Sequence, residues 1–284
     1  MKIIEEKRCI IGEGPIWNEK EEKLYFTNGF GNEICILDVY TGEIKVRPVP
    51  IGCAAFCFDK ENNLIVSTKN GILILHEDNK TTPICDSIKH CNDMKVGPDG
   101  AIYVGTLSES KRGISDKLDG KLYRVDKNGS VRILLDGLYT PNGLDWSMDE
   151  RKFYYVSGGD SPINEYYFDK CTGNIEFTGR SISLPHADGM TIDQNNNLLV
   201  ACWGRGCIAV VDTETMTIKE EIAVPCDIPT SCGFAGKNMD ILAITTASYN
   251  VGEDDEYAGF TLLCKKNIGG RKPYIFGEKN EKNI

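Results

Sequence analysis

Apolar and polar positions along most of this chain either alternate with a period of two or form short apolar runs between polar turns, the signature of strands. Between residues 187 and 202, Met190 and Ile192 alternate with polar neighbours. Gln194 to Asn197 read as a turn, and Leu198 to Cys202 form a nearly continuous apolar run. The unit recurs: turns at 18–23, 59–63, 97–100, 147–152, 193–197 and 235–239 each lead into an apolar strand. Third strands are predicted at 34–37, 122–125 and 208–211, and alternating fourth strands at 44–49 and 218–224. A repeat of roughly 40 to 50 residues, with no sustained helical periodicity, predicts an all-β six-bladed β-propeller spanning 1–284 as one domain. The last unit lacks an outer strand, which residues 2–7 are expected to supply, closing the ring. Two stacked sandwiches are the rival, but Pro and Gly are spread along the chain and mark no linker.

The net charge of −10 argues against nucleic-acid binding, which needs clustered Lys and Arg. No targeting segment and no membrane-length apolar stretch is visible, so a cytoplasmic protein without membrane partners is expected. The 12 cysteines lack framework spacing and contain no Cys-x-x-Cys pair. Cys57, Cys202, Cys207, Cys232 and Cys264 sit in apolar strand patterns, where a reduced thiol acts as a small hydrophobe. The acidic run Glu253-Asp254-Asp255-Glu256 reads as a solvated loop, with a weak second cation site as the alternative. Residues 107–119 interrupt the repeat with a segment too long for a hairpin, either a binding loop or a surface excursion.

Familiar catalytic signatures are missing. There are 3 histidines (His76, His90, His186), no Gly-x-Ser-x-Gly, no His-Glu-x-x-His, and no phosphate-binding glycine motif. What recurs is a polar residue beside Gly or Pro where a blade begins: Glu13 in Gly-Glu-Gly-Pro, Asn92 in Cys-Asn-Asp, Asn142 in Pro-Asn-Gly, Asp188 in Asp-Gly-Met. In a propeller these equivalent positions converge at one mouth of the central channel. Glu13, Asn142 and Asp188 would there offer oxygen ligands to a common point, with Asn92 nearby, a set suited to Ca²⁺, Mg²⁺ or Mn²⁺. Singly, Asn142-Gly143 reads as a turn and Glu13 as a solvated charge; the shared position in the repeat is what joins them.

The opening Gly-Glu-Gly-Pro-x-Trp, the block Pro-Asn-Gly-Leu-x-Trp-Ser, and Asp-Gly-Met-x-Ile-Asp followed by Val-Ala-Cys-Trp-Gly resemble the senescence marker protein/gluconolactonase family, which includes regucalcin and luciferin-regenerating enzymes. The resemblance covers nearly the whole chain. It implies a six-bladed propeller that holds one divalent cation, Ca²⁺ first, with Mg²⁺, Mn²⁺ or Zn²⁺ as alternatives, and hydrolyses sugar lactones. It places the metal on Glu13, Asn142 and Asp188 and the substrate on Asn92. His90 stands where many members carry Arg, and Glu109 or Ser110 where many carry a substrate-facing Glu. Ser157 replaces an Asp that often ends the second strand of blade four.

The leading expectation is therefore metal-dependent lactone hydrolysis. The cation polarises the carbonyl, Asp188 takes the proton of the attacking water, and Asn92, His90 and Glu109 contact a small-molecule lactone. The alternatives are a non-catalytic calcium-binding or regulatory propeller, and an esterase acting on non-sugar lactones or phosphoesters. The natural lactone and the oligomeric state are not legible in the chain.

Overall fold

A computed structural model of the chain describes residues 1–49, 51–252 and 254–279. Among them are 24 strands and no helix, arranged as six four-stranded antiparallel sheets. Blade 1 is β2 (Gly12–Asn18), β3 (Lys23–Asn28), β4 (Glu33–Leu37) and β5 (Ile44–Pro48). Blade 2 is β6 (Ala55–Phe58), β7 (Leu64–Thr68), β8 (Gly71–Leu75) and β9 (Thr81–Cys85). Blade 3 is β10 (Cys91–Val96), β11 (Ile102–Thr106), β12 (Gly120–Val125) and β13 (Val131–Leu138). Blade 4 is β14 (Leu144–Trp146), β15 (Lys152–Tyr155), β16 (Ile163–Asp169) and β17 (Asn174–Ile182). Blade 5 is β18 (Ala187–Ile192), β19 (Asn197–Cys202), β20 (Cys207–Asp212) and β21 (Thr217–Ala223).

Blade 6 is β22 (Pro229–Ala235), β23 (Ile241–Thr246) and β24 (Thr261–Lys265), completed by β1 (Lys2–Ile4). β1 pairs with β24 through Lys2–Leu263, Ile3–Leu262 and Ile4–Thr261. The chain's first strand thus covers the edge its last blade would otherwise leave open. The paired segment is shorter than the expected 2–7. In each blade the first strand is innermost, and these six pack side by side: β2 on β6 and β22, β10 on β6 and β14, β18 on β14 and β22. That ring is the wall of the channel.

Burial follows the alternation read from the sequence. Second strands such as β7, β11 and β19 are buried at every position, whereas outer strands such as β21 are almost wholly exposed. The largest aromatic cluster lies between blades 3 and 4, where Tyr103 meets Trp146 edge-on at 4.9 Å and Phe153 lies 5.1 Å from Trp146. Each fully buried Leu, Ile or Phe here contributes about 1.5–3 kcal/mol. Cys57, Cys202, Cys207 and Cys232 are core residues as expected, Cys264 is half-buried, and the 12 cysteines are unpaired.

After β24 the chain runs under the ring and touches the innermost turn of every blade. Lys266 donates to the Asp240 carbonyl in blade 6 and Gln194 of blade 5 to the Gly269 carbonyl. The Tyr274 hydroxyl reaches Glu150 of blade 4, Phe276 N–H the Phe58 carbonyl of blade 2, and Gly277 N–H the Gly100 carbonyl of blade 3. Lys272 pairs with Glu19 of blade 1. This tail is the floor of the channel, opposite the mouth where the blades begin.

Candidate active site at the channel mouth

Four innermost strands depart from regular pairing near their starts, β22 between Pro229 and Ser231 and three others where polar residues meet the mouth. The register shifts between Glu13 and Ile16 in β2, between Cys91 and Met94 in β10, and between Ala187 and Met190 in β18. A bulge inserts an extra residue and re-aims side chains, so neighbours that alternation would send to opposite faces can both face the channel. Glu13, Asn92, Asp93 and Asp188 all lie in these bulges. Blade 4 reaches the mouth differently: Asn142 precedes β14, its N–H donating to the Val156 carbonyl at 3.0 Å. Gly143 is required there, because a Cβ would lie 2.2 Å from the Asp188 carbonyl oxygen. The absent side chain lets blades 4 and 5 meet where Asn142 and Asp188 join.

These residues form one electrostatic unit. Asn142 Nδ2 donates to Asp188 Oδ1, leaving Asp188 Oδ2 as a second acceptor. Asn92 Nδ2 donates to the Pro141 carbonyl at 2.9 Å, tying blade 3 to the turn that carries Asn142. Burial pushes the Glu13 carboxyl well above the usual carboxylate range, and the charges of Asp188 and Asp93 push it further. Asp188 is raised well above its ordinary value by burial and then by Asp93, against opposition from Asn142 and Lys111. Asp93 is raised too, chiefly by burial, with Lys95 opposing. Three carboxylates thus crowd one mouth, and no salt bridge is found on any of them among the described residues.

Such a donor set fits a hard divalent cation. It is made of oxygens, it is desolvated, and its like charges repel until a positive charge is placed among them. Among the described residues, no three His, Cys, Asp or Glu side chains stand close enough to chelate an ion by themselves. The remaining ligand of the set read from the sequence is an amide. A half-turn of the Asn142 amide exchanges nitrogen for oxygen and turns it into a ligand. A cleft of about 370 Å³ lies elsewhere, between loops of blades 5 and 6, bordered by Asp227, Asp254, Asp255 and Glu256. Asp255 there accepts the Asp227 N–H, and Glu253 lies outside the described residues.

The model of the SMP-30/gluconolactonase/LRE-like region matches residues 11–248. The chain belongs to that family. Among its relatives, regucalcin of Gallus gallus is 29% identical, the match covering 95% of this chain and 95% of that one. Pentonolactonase XacC of Haloferax volcanii is 28% identical over 88% of each chain. A regucalcin of Agrobacterium tumefaciens, described as a calcium-binding protein, superposes with a TM-score of 0.87 at 21% identity, covering 97% of each chain, which shows the shared fold.

Of the residues picked from the sequence, the structure brings Glu13, Asn142 and Asp188 together with Asn92 beside them. His90 stands two positions before Asn92, exposed at the rim, with a φ of 57°. Blade 5 repeats this arrangement in His186, φ 61°, two positions before Asp188. Partial burial and the neighbouring Arg112 guanidinium push the His90 imidazole below its usual value. Glu109 is turned into its own loop, where its carboxylate accepts from Ser115 Oγ at 2.8 Å. Ser110 lies in the same turn, its N–H on the Lys117 carbonyl. Ser157 accepts the Tyr139 N–H with Oγ at 3.1 Å and so shapes the blade-4 approach to the mouth.

Sequence reasoning missed Asp93 as a third carboxylate. It also missed the floor network beneath it, in which Lys95 Nζ donates to Asp145 Oδ2 at 2.8 Å and to the Met190 carbonyl at 2.6 Å. Arg271 of the tail grips the other oxygen of Asp145 and donates to the Trp146 carbonyl at 3.1 Å. With a cavity of about 60 Å³ beside it, this network joins the same three strands, β10, β14 and β18, that carry or follow Asp93, Asn142 and Asp188.

Proposed function

We propose that this protein is a divalent-cation-dependent lactonase acting on sugar lactones, with its centre at Glu13, Asn142 and Asp188. The observation that carries the reading is the crowding of Glu13, Asp93 and Asp188 at one mouth with no ion pair to any of them among the described residues. Membership of a family whose relatives include a pentonolactonase supports the substrate class. Glu13, Asn142 and Asp188 would hold the ion through oxygen. When bound, a divalent cation supplies polarisation of the lactone carbonyl and positive charge against the oxyanion.

The chain's own residues do the rest. Asp188 Oδ1 is the oxygen turned to Asn142 and would share the ion with it, so Oδ2 is the acceptor that takes the proton of the attacking water. Asn92, fixed by the Pro141 carbonyl, offers its amide oxygen to a substrate hydroxyl. The floor behind the site is sealed by Lys95, Asp145 and Arg271, so substrate enters and leaves by the mouth alone.

The test is a panel of five- and six-membered lactones assayed by acid release with Ca²⁺, Mg²⁺, Mn²⁺ and Zn²⁺ in turn, spontaneous hydrolysis being subtracted. Cation-dependent turnover that chelation abolishes is the expected result. A second reading, a regulatory propeller that binds a cation without catalysis, draws on the regucalcin described as calcium-binding. Tight cation binding with no turnover of any lactone would select it.

A further inference from the structure

Residues 107–119 fold back over the mouth as an ordered loop. Leu107 N–H bonds the His90 carbonyl of blade 3 at 2.9 Å, and Ser108 N–H bonds the Tyr139 carbonyl ahead of blade 4 at 3.2 Å. A turn follows on buried Ser108, whose Oγ accepts the Lys111 N–H at 3.1 Å and whose carbonyl accepts the Arg112 N–H at 3.1 Å. The backbone thus fixes where the next two side chains stand.

Those side chains are the only adjacent cations of the loop, one at each side of the rim. Arg112 Nη1 lies 3.2 Å from His90 Nε2, two residues outside Asn92. Lys111 Nζ lies 5.7 Å over the Tyr139 ring, three residues outside Asn142, and its charge is felt at Asp188. Neither forms an ion pair among the described residues. Two of the loop's three acids are engaged within it, Glu109 by Ser115 Oγ and Asp119 by the Glu109 N–H at 2.7 Å and Lys117 at 3.6 Å, though Arg112 also acts on Asp119 through space. Arg112 Nε is buried without any acceptor. A desolvated donor left unmade is costly, so the protein leaves this guanidinium under-compensated.

Resting on the lactonase reading and deepening it, we infer that Arg112 and Lys111 select a lactone carrying an anionic group, a carboxylate or phosphate monoester remote from the ring ester. The ester faces the carboxylate cluster while the anionic end sits against the two cations at the rim. The chain's net charge of −10 repels anions overall, and the pair of cations at the rim offsets that repulsion locally.

The experiment compares gluconolactone, its phosphate monoester and glucarolactone, which retains a free carboxylate, on the intact protein with the preferred cation. Parent protein should favour an anionic lactone over gluconolactone by roughly tenfold or more in kcat/KM, the scale of one charge-assisted hydrogen bond, and lose that advantage as salt rises. Arg112→Gln and Lys111→Gln together should remove the preference, read as the ratio of the two substrates on the same variant so that any effect of Lys111 on Asp188 cancels. Lys117→Gln, whose ammonium faces Asp119, should leave the ratio intact. The phosphate and carboxylate arms show which anion the rim accepts. A preference for gluconolactone, or one that survives the double variant, overturns the inference while the lactonase reading stands. If no lactone turns over, that reading falls and glucarate binding by calorimetry decides: binding lost in Arg112→Gln upholds the cationic rim, and no binding overturns it.

Discussion

The mouth and the floor of the channel both bury carboxylates, yet they treat them in opposite ways. At the floor, Asp145 is held below the usual carboxylate range although burial alone would raise it, because Lys95 and Arg271 flank its two oxygens. At the mouth, Glu13, Asp93 and Asp188 are raised, and the nearest cations are Lys95 below and Lys111 above, neither in contact. A desolvated carboxylate persists as an anion only when something supplies its counter-charge. The floor contains its own, so it is a structural joint. The mouth does not, which supports the cation site proposed there.

The largest effect expected on this contrast is at Asp188. Asp188→Asn keeps a side-chain oxygen but removes the base, so kcat should fall by about 10² to 10⁴ at saturating cation, with little change in melting temperature. Metal content must be measured alongside, and a variant that binds the ion and turns over near the parent rate would reassign the base.

Asp145→Asn should do the reverse. It strands Lys95 and Arg271, side chains 28% and 12% exposed, and should cost about 3–5 kcal/mol in chemical denaturation. Because the Asp145 carboxyl is depressed, its contribution is present above the ordinary value of 3.8 and disappears as pH falls through its lower folded value. The stability gap between parent and variant should therefore close on acidification below that range; a gap constant to pH 2 would point to packing instead.

A smaller effect of opposite sign is expected from Glu13→Gln in chelator. Removing one of the repelling charges should raise the melting temperature of the metal-free protein, at roughly 2–4 °C per kcal/mol relieved, and weaken cation binding. A lower melting temperature would mean that Glu13 has a counter-charge of its own. The smallest effect is at His90. His90→Arg sets a second guanidinium beside Arg112, which should shift the loop and change KM several-fold with kcat nearly constant. An unchanged rank order of lactones would make His90 a rim residue without substrate contact.

The propeller was legible because each blade repeats an alternating strand, a polar turn and an apolar strand, and because a blade lacking its outer strand asks for one from the chain's start. Glu13, Asn142 and Asp188 were legible for the same reason, since equivalent positions of a repeat meet in space. Asp93 was hidden by that very logic. Strict alternation assigns it to the face opposite Asn92, and no residue type announces the bulge between Cys91 and Met94. Asp145 and Arg271 are 126 positions apart, so no local pattern could pair them. The layout of the loop was hidden because a turn built on Ser108 sets Glu109 against Ser115 and Arg112 beside His90.

The last blade's outer strand comes from the first residues of the chain, and the channel floor comes from the segment after β24. A ribosome makes β1 long before its partner β24. β1 must wait, unpaired, until Thr261–Lys265 has emerged, and closing so long a loop costs about 5 kcal/mol of chain entropy before any contact rewards it. Five blades can form as they are made, but Asp145 lacks Arg271 until the tail arrives. Ring closure and the anchoring of Asp145 therefore both wait for segments made after the blades they complete, the kind of non-local pairing that slows folding.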